Sequence, residues 1–329
     1  MLIGREAELA AAGRALDRLA ARGPSALLLV GEAGIGKSSL LADAAARAGR
    51  GGIRVAAARA AEFERDVPFA LLTALLDEAL ADPPPRLAAP PVDALVERPR
   101  HRLNRELRLL LEALAAGRRV LLAIDDLHWS DAASLEALLA LVHRPPRGAV
   151  CLLLAARPGT AALRLTEALR SRPDAERVDV GPLAAGDAAR LVGPSLSRRE
   201  RTGVLAAAGG NPFYLQELSR TARSAPAEHG ESSAGGAIPA AIMAAVAAEV
   251  AALGRAARAL LHGAAVAGDP FDPDLAVAAC GKPLGDAVDD LLAADLVRPD
   301  GRPRQLRFRH PIVRAAVLEA AGEAFRVAA

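Results

Sequence analysis

The chain has 329 residues, with 41 basic and 39 acidic side chains and a formal net charge of +2. That balance exerts no general pull on nucleic acid or on an anionic membrane, and the length points to two or three domains. Hydrophobic residues make up 52% of the chain and aromatics only 2%, so alanine, leucine and valine must fill the cores.

The start, Met1-Leu2-Ile3-Gly4-Arg5-Glu6, has no long apolar run and does not read as a signal peptide. The longest alanine-rich stretch, 238–253, contains Glu249 and is too weakly apolar for a bilayer span. Cys151 and Cys280 lie far apart in apolar runs, the pattern of buried thiols in a reducing compartment. The expectation is a cytoplasmic protein without membrane contact.

Ala26-Leu27-Leu28-Leu29-Val30 is an apolar run of strand length. It leads into Gly31-Glu32-Ala33-Gly34-Ile35-Gly36-Lys37-Ser38, which fits the phosphate-loop pattern G-x-x-x-x-G-K-[ST]. The glycines let backbone N–H groups turn inward around a phosphate chain. Lys37, one of only two lysines in an arginine-rich chain, offers a compact charge to the β- and γ-phosphates. The Ser38 hydroxyl is placed for Mg²⁺. Ser39-Leu40-Leu41-Ala42 then opens a helix, whose N-terminus, including Ser39, favours the phosphates. An accidental glycine-rich turn has no reason to sit between a strand and a helix. ATP or ADP with Mg²⁺ is the expected ligand.

Further strands are expected at 53–58, 120–125, 150–156 and 177–180, with helices at 68–80, 103–116, 134–142 and 161–169. Such alternation argues for an α/β fold, a P-loop NTPase parallel sheet with helices on both faces. Asp82-Pro83-Pro84-Pro85 and Pro90-Pro91 mark a loop. The strand at 120–125 ends in Asp125-Asp126. Asp125, with Ser38, is placed to hold Mg²⁺, and Asp126 to orient the attacking water. The plainer alternative is a pair of aspartates capping a helix. Aspartate at 126 is one methylene shorter than glutamate, so slow turnover is expected. The strand at 150–156 ends in Arg157, which can read the γ-phosphate or merely sit solvated at the sheet edge.

From 184 to 223 the pattern is helical, 224–237 reads as a flexible linker, and 238–329 reads as helices, a hairpin and a last helix. The helices of that last region are expected at 240–252, 255–267, 273–279, 284–293 and 312–321, and the hairpin turns at Asp300-Gly301. The domains are therefore expected at 1–183, 184–223 and 238–329, namely a nucleotide-binding domain, a helical lid and a winged-helix-like domain. Arg298, Arg302, Arg304, Arg307, Arg309 and Arg314 concentrate positive charge there, with Asp300 the one acid among them. A solvated hairpin is the favoured reading, ahead of a protein partner and then of DNA phosphates.

Taken in order, Gly4-Arg5-Glu6, the phosphate loop, Asp125-Asp126-Leu127-His128-Trp129-Ser130-Asp131, Ala155-Ala156-Arg157, Gly210-Asn211-Pro212-Phe213 and Phe308-Arg309-His310 resemble the ATPase module of STAND-type P-loop ATPases. The likeness extends to the large ATP-binding regulators of the LuxR class. The resemblance implies that Gly4 and Arg5 lie near the adenine and that Pro212 packs on the base. It also implies that Arg157 senses the γ-phosphate and that His310 reaches the β-phosphate in a closed ADP state. His128 and Trp129 are expected to be structural, as a hydrogen-bonding cap and an aromatic plug. ATP would favour an open state competent for a protein partner or self-association, with direct DNA binding by this chain not expected. The rival expectations are an AAA-type ATPase with rapid turnover for remodelling or initiation, and a winged-helix DNA-binding module.

Overall fold

The computed structural model describes residues 2–81, 100–224, 238–280 and 286–321. The proline-rich loop and all of the expected linker except Ser224 lie outside them. The chain divides into two compact units, Met1–Gly181 and Pro182–Ala329.

The first unit is built on five parallel strands: β1 (Ser25–Gly31), β2 (Arg54–Arg59), β3 (Val120–Asp125), β4 (Val150–Ala156) and β5 (Ala175–Val180), in the order β2-β3-β4-β1-β5. The three inner strands are buried along their whole length, and all three are nearly unbroken apolar runs. Their side chains alternate between two cores. Leu28, Val30, Leu122, Ile124, Leu152 and Leu154 face one side. Leu27, Leu29, Leu121, Ala123, Cys151 and Leu153 face the other.

Helices α1 (Glu6–Ala20) and α2 (Lys37–Arg50) contribute to the second core. Helices α3 (Ala70–Leu80), α4 (Arg100–Leu114), α5 (Ala132–His143) and α6 (Thr160–Leu169) contribute to the first. Cys151 and Cys280 are both free thiols; Cys151 is buried, which pushes its thiol up to about 11, while Cys280 is half-buried.

The start of α5 is anchored by a carboxylate that also serves α3. Asp131, 3% exposed, accepts the Ser134 N–H at 2.8 Å, the Phe69 N–H at 2.8 Å and the Leu71 N–H at 3.4 Å. Ser134 Oγ accepts the Leu72 N–H at 3.0 Å. Two helix N-termini thus converge on one buried acid, where both dipoles favour negative charge. Asp131→Ala leaves these N–H groups buried without an acceptor and is expected to cost about 2–4 kcal/mol. Asp131→Asn keeps one acceptor oxygen and should cost less. Trp129, the single tryptophan, reports on this region, so fluorescence during urea unfolding checks it. A parent-like midpoint for the alanine variant would leave the contact without energetic weight.

The second unit contains α7 (Ala185–Val192), α8 (Arg198–Ala208), α9 (Pro212–Ser224), α10 (Ala240–Ala251), α11 (Arg255–Ala267), α12 (Pro273–Cys280) and α13 (Ala287–Ala293). A hairpin of β6 (Val297–Pro299) and β7 (Leu306–Phe308) follows, then α14 (Pro311–Ala320). One apolar core runs through it, from Leu183 to Val317. Ser197 and Glu200 form a capping box that starts α8.

The basic concentration near the hairpin is largely paired by acids brought in from elsewhere in the fold. Arg298 meets Asp295 at 2.8 Å, Arg304 meets Asp274, and Arg302 lies 3.9 Å from Asp300. Arg309 is buried and meets Glu249 at 2.6 Å, and Arg314 donates to the Ala265 carbonyl. Arg307 is exposed. These pairings remove much of the positive field that the bare sequence displays.

Candidate nucleotide site

Parallel pairing sets the carboxyl ends of the inner strands level. Val30 of β1 is opposite Ala156 of β4, Ile124 of β3 is opposite Leu154 of β4, and Arg59 of β2 is opposite Asp125. The residues that leave these ends are the loop after Gly31, the Asp125-Asp126 pair and Arg157. They meet along one edge of the sheet, where α/β folds bind ligands. β4 lies between β1 and β3, so Arg157 emerges between the loop and the acids.

The loop 31–36 turns through Gly34 (φ 73°) and Gly36 (φ 106°), a backbone region that side chains rarely adopt. Lys37 begins α2 and is 5% exposed. Its Nζ donates to the carbonyls of Gly31 and Glu32, both at 2.8 Å, which fixes the ammonium against the loop. Ser38 and Ser39 are exposed in the first turn of α2, Glu32 and Ala33 are half-buried, and Ile35 is buried in the core.

Arg5 braces the loop from behind. This buried guanidinium donates to the Ile35 carbonyl at 2.8 Å, to the Gly181 carbonyl at 2.8 Å and to Glu8 at 2.9 Å. Gly4, beside it, has φ 65°. Nothing in the sequence pattern revealed the brace, because its two carbonyl partners lie 30 and 176 residues away.

Asp125 is 8% exposed and accepts the Asp126 N–H at 2.9 Å. Asp126 is left-handed (φ 52°) and makes no side-chain cap to the short 3-10 turn Leu127–Trp129 that follows. Helix capping therefore does not account for Asp126; Asp131 does that work for α5. Arg59, at the end of β2, holds Asp126 Oδ2 at 2.5 and 2.7 Å, and this pairing raises the Arg59 pKa. Oxygen donors from Ser38 and Asp125, with phosphate oxygens and waters completing the shell, suit Mg²⁺, which is bound through few protein ligands. Among the described residues no cluster of three or more His, Cys, Asp or Glu side chains could hold a metal.

His128 does not act as the hydrogen-bonding cap expected from the sequence. Both ring nitrogens are buried without a hydrogen-bond partner among the described residues. Burial, reinforced by the positive charges of Arg157, Lys37, Arg59 and Arg65, pushes its pKa down to about 2, so the ring is neutral. Trp129 is partly buried and packs on the core, with its ring 5.1 Å from that of His128.

Pro212 and His310 both belong to the second unit. Pro212 opens α9 directly after Asn211, whose Oδ1 accepts the Phe213 N–H at 3.0 Å. His310 caps α14, its Nδ1 accepting the Ile312 N–H at 3.1 Å, with Pro311 at the first helical position. Its ring lies 4.8 Å from that of Tyr214. A Cβ on Gly209 (φ 55°) would come within 2.7 Å of His310 Nε2. The turn before α9 and the start of α14 are thus packed on each other, although some 100 residues of sequence separate them (roughly, by chain position).

Residues 1–154 match the family model described as the AAA ATPase domain. No curated protein matches the sequence. Among solved structures, the chain is similar to the Aeropyrum pernix ORC1 protein in complex with DNA, at 17% identity and a TM-score of 0.55, covering 97% of this chain and 93% of that one. It is also similar to the Aeropyrum pernix ORC2 protein, solved as ADPNP-ADP complexes, at 16% identity and a TM-score of 0.53, covering 97% and 95%. A STAND protein with a tetratricopeptide repeat sensor from Pyrococcus horikoshii aligns at 16% identity and a TM-score of 0.43, over 98% of this chain and 43% of that one. No helix among the described residues is long and apolar enough to cross a membrane. The sheet and its loop are those of a P-loop NTPase, and the first 154 residues carry an AAA ATPase domain.

Proposed function

We propose that the chain is a nucleotide-operated switch of the STAND kind, the regulatory ATPase part of a LuxR-class transcriptional regulator. The observation that carries this reading is the edge of the sheet where the Lys37 loop, Asp125, Asp126 and Arg157 come together. In this reading ATP binds with its phosphates on residues 31–39, Mg²⁺ sits on Ser38 and Asp125, and Asp126 orients water toward the γ-phosphate while Arg157 senses it. Gly4 and Arg5 lie toward the adenine and Pro212 toward the base. Residues 184–223 serve as the lid, and the segment 238–329, joined through 224–237, is the moving part. ADP favours a closed state in which His310 engages the β-phosphate; ATP favours an open, partner-competent one. Such a protein works in the cytoplasm, hydrolyses slowly and controls transcription through protein contacts rather than by binding DNA itself.

His310 supplies the test. A ligand shifts a two-state equilibrium only through its difference in affinity between the states. His310→Ala removes both the phosphate contact and the α14 cap. His310→Asn keeps a cap acceptor but removes Nε2, so it separates the two roles. Both variants are expected to weaken ADP relative to ATP by about 10- to 100-fold, the effect of one charge-assisted hydrogen bond. Only the alanine variant should also lose the cap, at about 1 kcal/mol. Calorimetry with each nucleotide checks this, and equal losses for ADP and ATP would reduce His310 to a helix cap. The AAA ATPase match favours one other reading, an ATPase whose rapid turnover drives remodelling or initiation. A hydrolysis rate that climbs steeply with protein concentration would select it over the slow switch.

A further inference from the structure

The His128 imidazole is the one conspicuous group at the sheet edge to which the reading above gives no task. Nδ1 and Nε2 are both shut off from solvent, and neither has a hydrogen-bond partner among the described residues. A neutral imidazole carries one donor and one acceptor, and leaving both unsatisfied in a buried place is costly. Native folds satisfy nearly all such groups, so an orphaned pair marks a place where a partner arrives during function.

The surroundings identify that partner. Arg59 occupies Oδ2 of Asp126 at 2.5 Å, while Oδ1 lies 3.9 Å from His128 Nδ1. This gap is too long for a direct hydrogen bond, and it suits one water lying about 2.8 Å from each atom. Lys37, Arg157, Arg59 and Arg65 are the cations whose charge bears on the ring. Positive groups converging beside a neutral ring and a carboxylate suit an anionic phosphoryl group with a water next to it.

We propose that His128 is a positioning residue for hydrolysis: its Nδ1 and Asp126 Oδ1 jointly hold the water that attacks the γ-phosphate. The ring then carries its hydrogen on Nε2. The water oxygen bonds to the γ-phosphorus as the bond from that phosphorus to the β–γ bridging oxygen breaks, and the electron pair leaves with ADP. One water proton passes to Asp126 Oδ1; the other remains in the hydrogen bond to His128 until hydrogen phosphate departs. The role is separate from nucleotide binding, because it concerns the water and not the phosphate chain.

This inference rests on the ATPase reading, and the experiment lets the two fail separately. The full-length parent, His128→Ala and His128→Asn are compared by single-turnover ATP hydrolysis with magnesium, by calorimetry with ATPγS and by thermal unfolding. His128→Ala is expected to bind ATPγS within about threefold of the parent yet to hydrolyse ATP about 10- to 100-fold more slowly. The asparagine Oδ1 stands close to where Nδ1 was, so His128→Asn should recover most of the rate. A parent-like rate in His128→Ala overturns the proposal. So does a slow rate matched by an equal loss of ATPγS affinity, or one that asparagine does not rescue, since packing alone gives those results. A parent that binds ATP but never hydrolyses it also overturns the proposal. A parent that binds no ATP removes the ATPase reading itself.

Discussion

Lys37→Ala is expected to abolish ATP binding at micromolar nucleotide, a loss of about a hundredfold or more. The ammonium is 5% exposed and held against the Gly31 and Glu32 carbonyls, at the N-terminus of α2. A charge so placed contributes about 1.5–3 kcal/mol for each charge-assisted bond that it makes to phosphate, and two such bonds already exceed two decades of affinity. The substitution also strips a donor from two loop carbonyls, so a modest fall in stability should accompany it. Lys37→Arg should bind poorly too, because a planar guanidinium fork does not fit the place of a compact ammonium. Calorimetry with ATP decides the matter, and unchanged affinity in the alanine variant would sink the phosphate-loop reading.

Asp126→Asn should leave Mg-ATP binding nearly intact and reduce single-turnover hydrolysis by about 10²- to 10⁴-fold, the usual weight of a positioned base. The amide keeps an acceptor for Arg59, whose side chain is 72% exposed, and an exposed pair of this sort contributes at most about 1 kcal/mol to stability. A fall in rate therefore cannot be put down to unfolding. Asp125→Asn should behave differently, weakening the magnesium-dependent part of binding because its carboxylate lies at the very end of β3. Parent-like rates in both variants would leave the two acids as scaffold.

How far these residues could be read from the bare sequence depended on the range of the interaction. The inner strands β3 and β4 agree with the expected 120–125 and 150–156 to the residue, since strands buried on both faces end where apolar side chains end. The edge strands were blurred. β5 starts at Ala175 rather than 177, because Glu176 and Arg177 on a half-exposed edge carry no apolar signal. Helix α3 starts at Ala70, two residues later than expected, where Asp131 draws in the preceding backbone from 62 residues away.

At the candidate site, the loop and the paired acids are contiguous motifs, and short-range pattern was enough to find them. Arg59 came to notice only through the β2–β3 register, and strand order is not written in local periodicity. The same limit hid Asp295, Asp274 and Glu249 as partners of the hairpin arginines. His128 was misread because composition favours a capping role for a polar residue after a strand. Only a count of hydrogen bonds in three dimensions shows that it caps nothing.

The Arg5 brace bears on how tightly a ligand can be held. Its guanidinium ties the Ile35 carbonyl to the chain at Gly181 before any phosphate arrives. A loop that must be ordered by its ligand gives up part of the binding free energy to conformational entropy. Here one long side chain from the start of α1 has already restrained the backbone, so its amides are preorganised to meet an anion. Affinity for the phosphate chain thus depends in part on a residue at position 5, and shortening the protein by its first five residues should loosen a site whose own sequence is untouched.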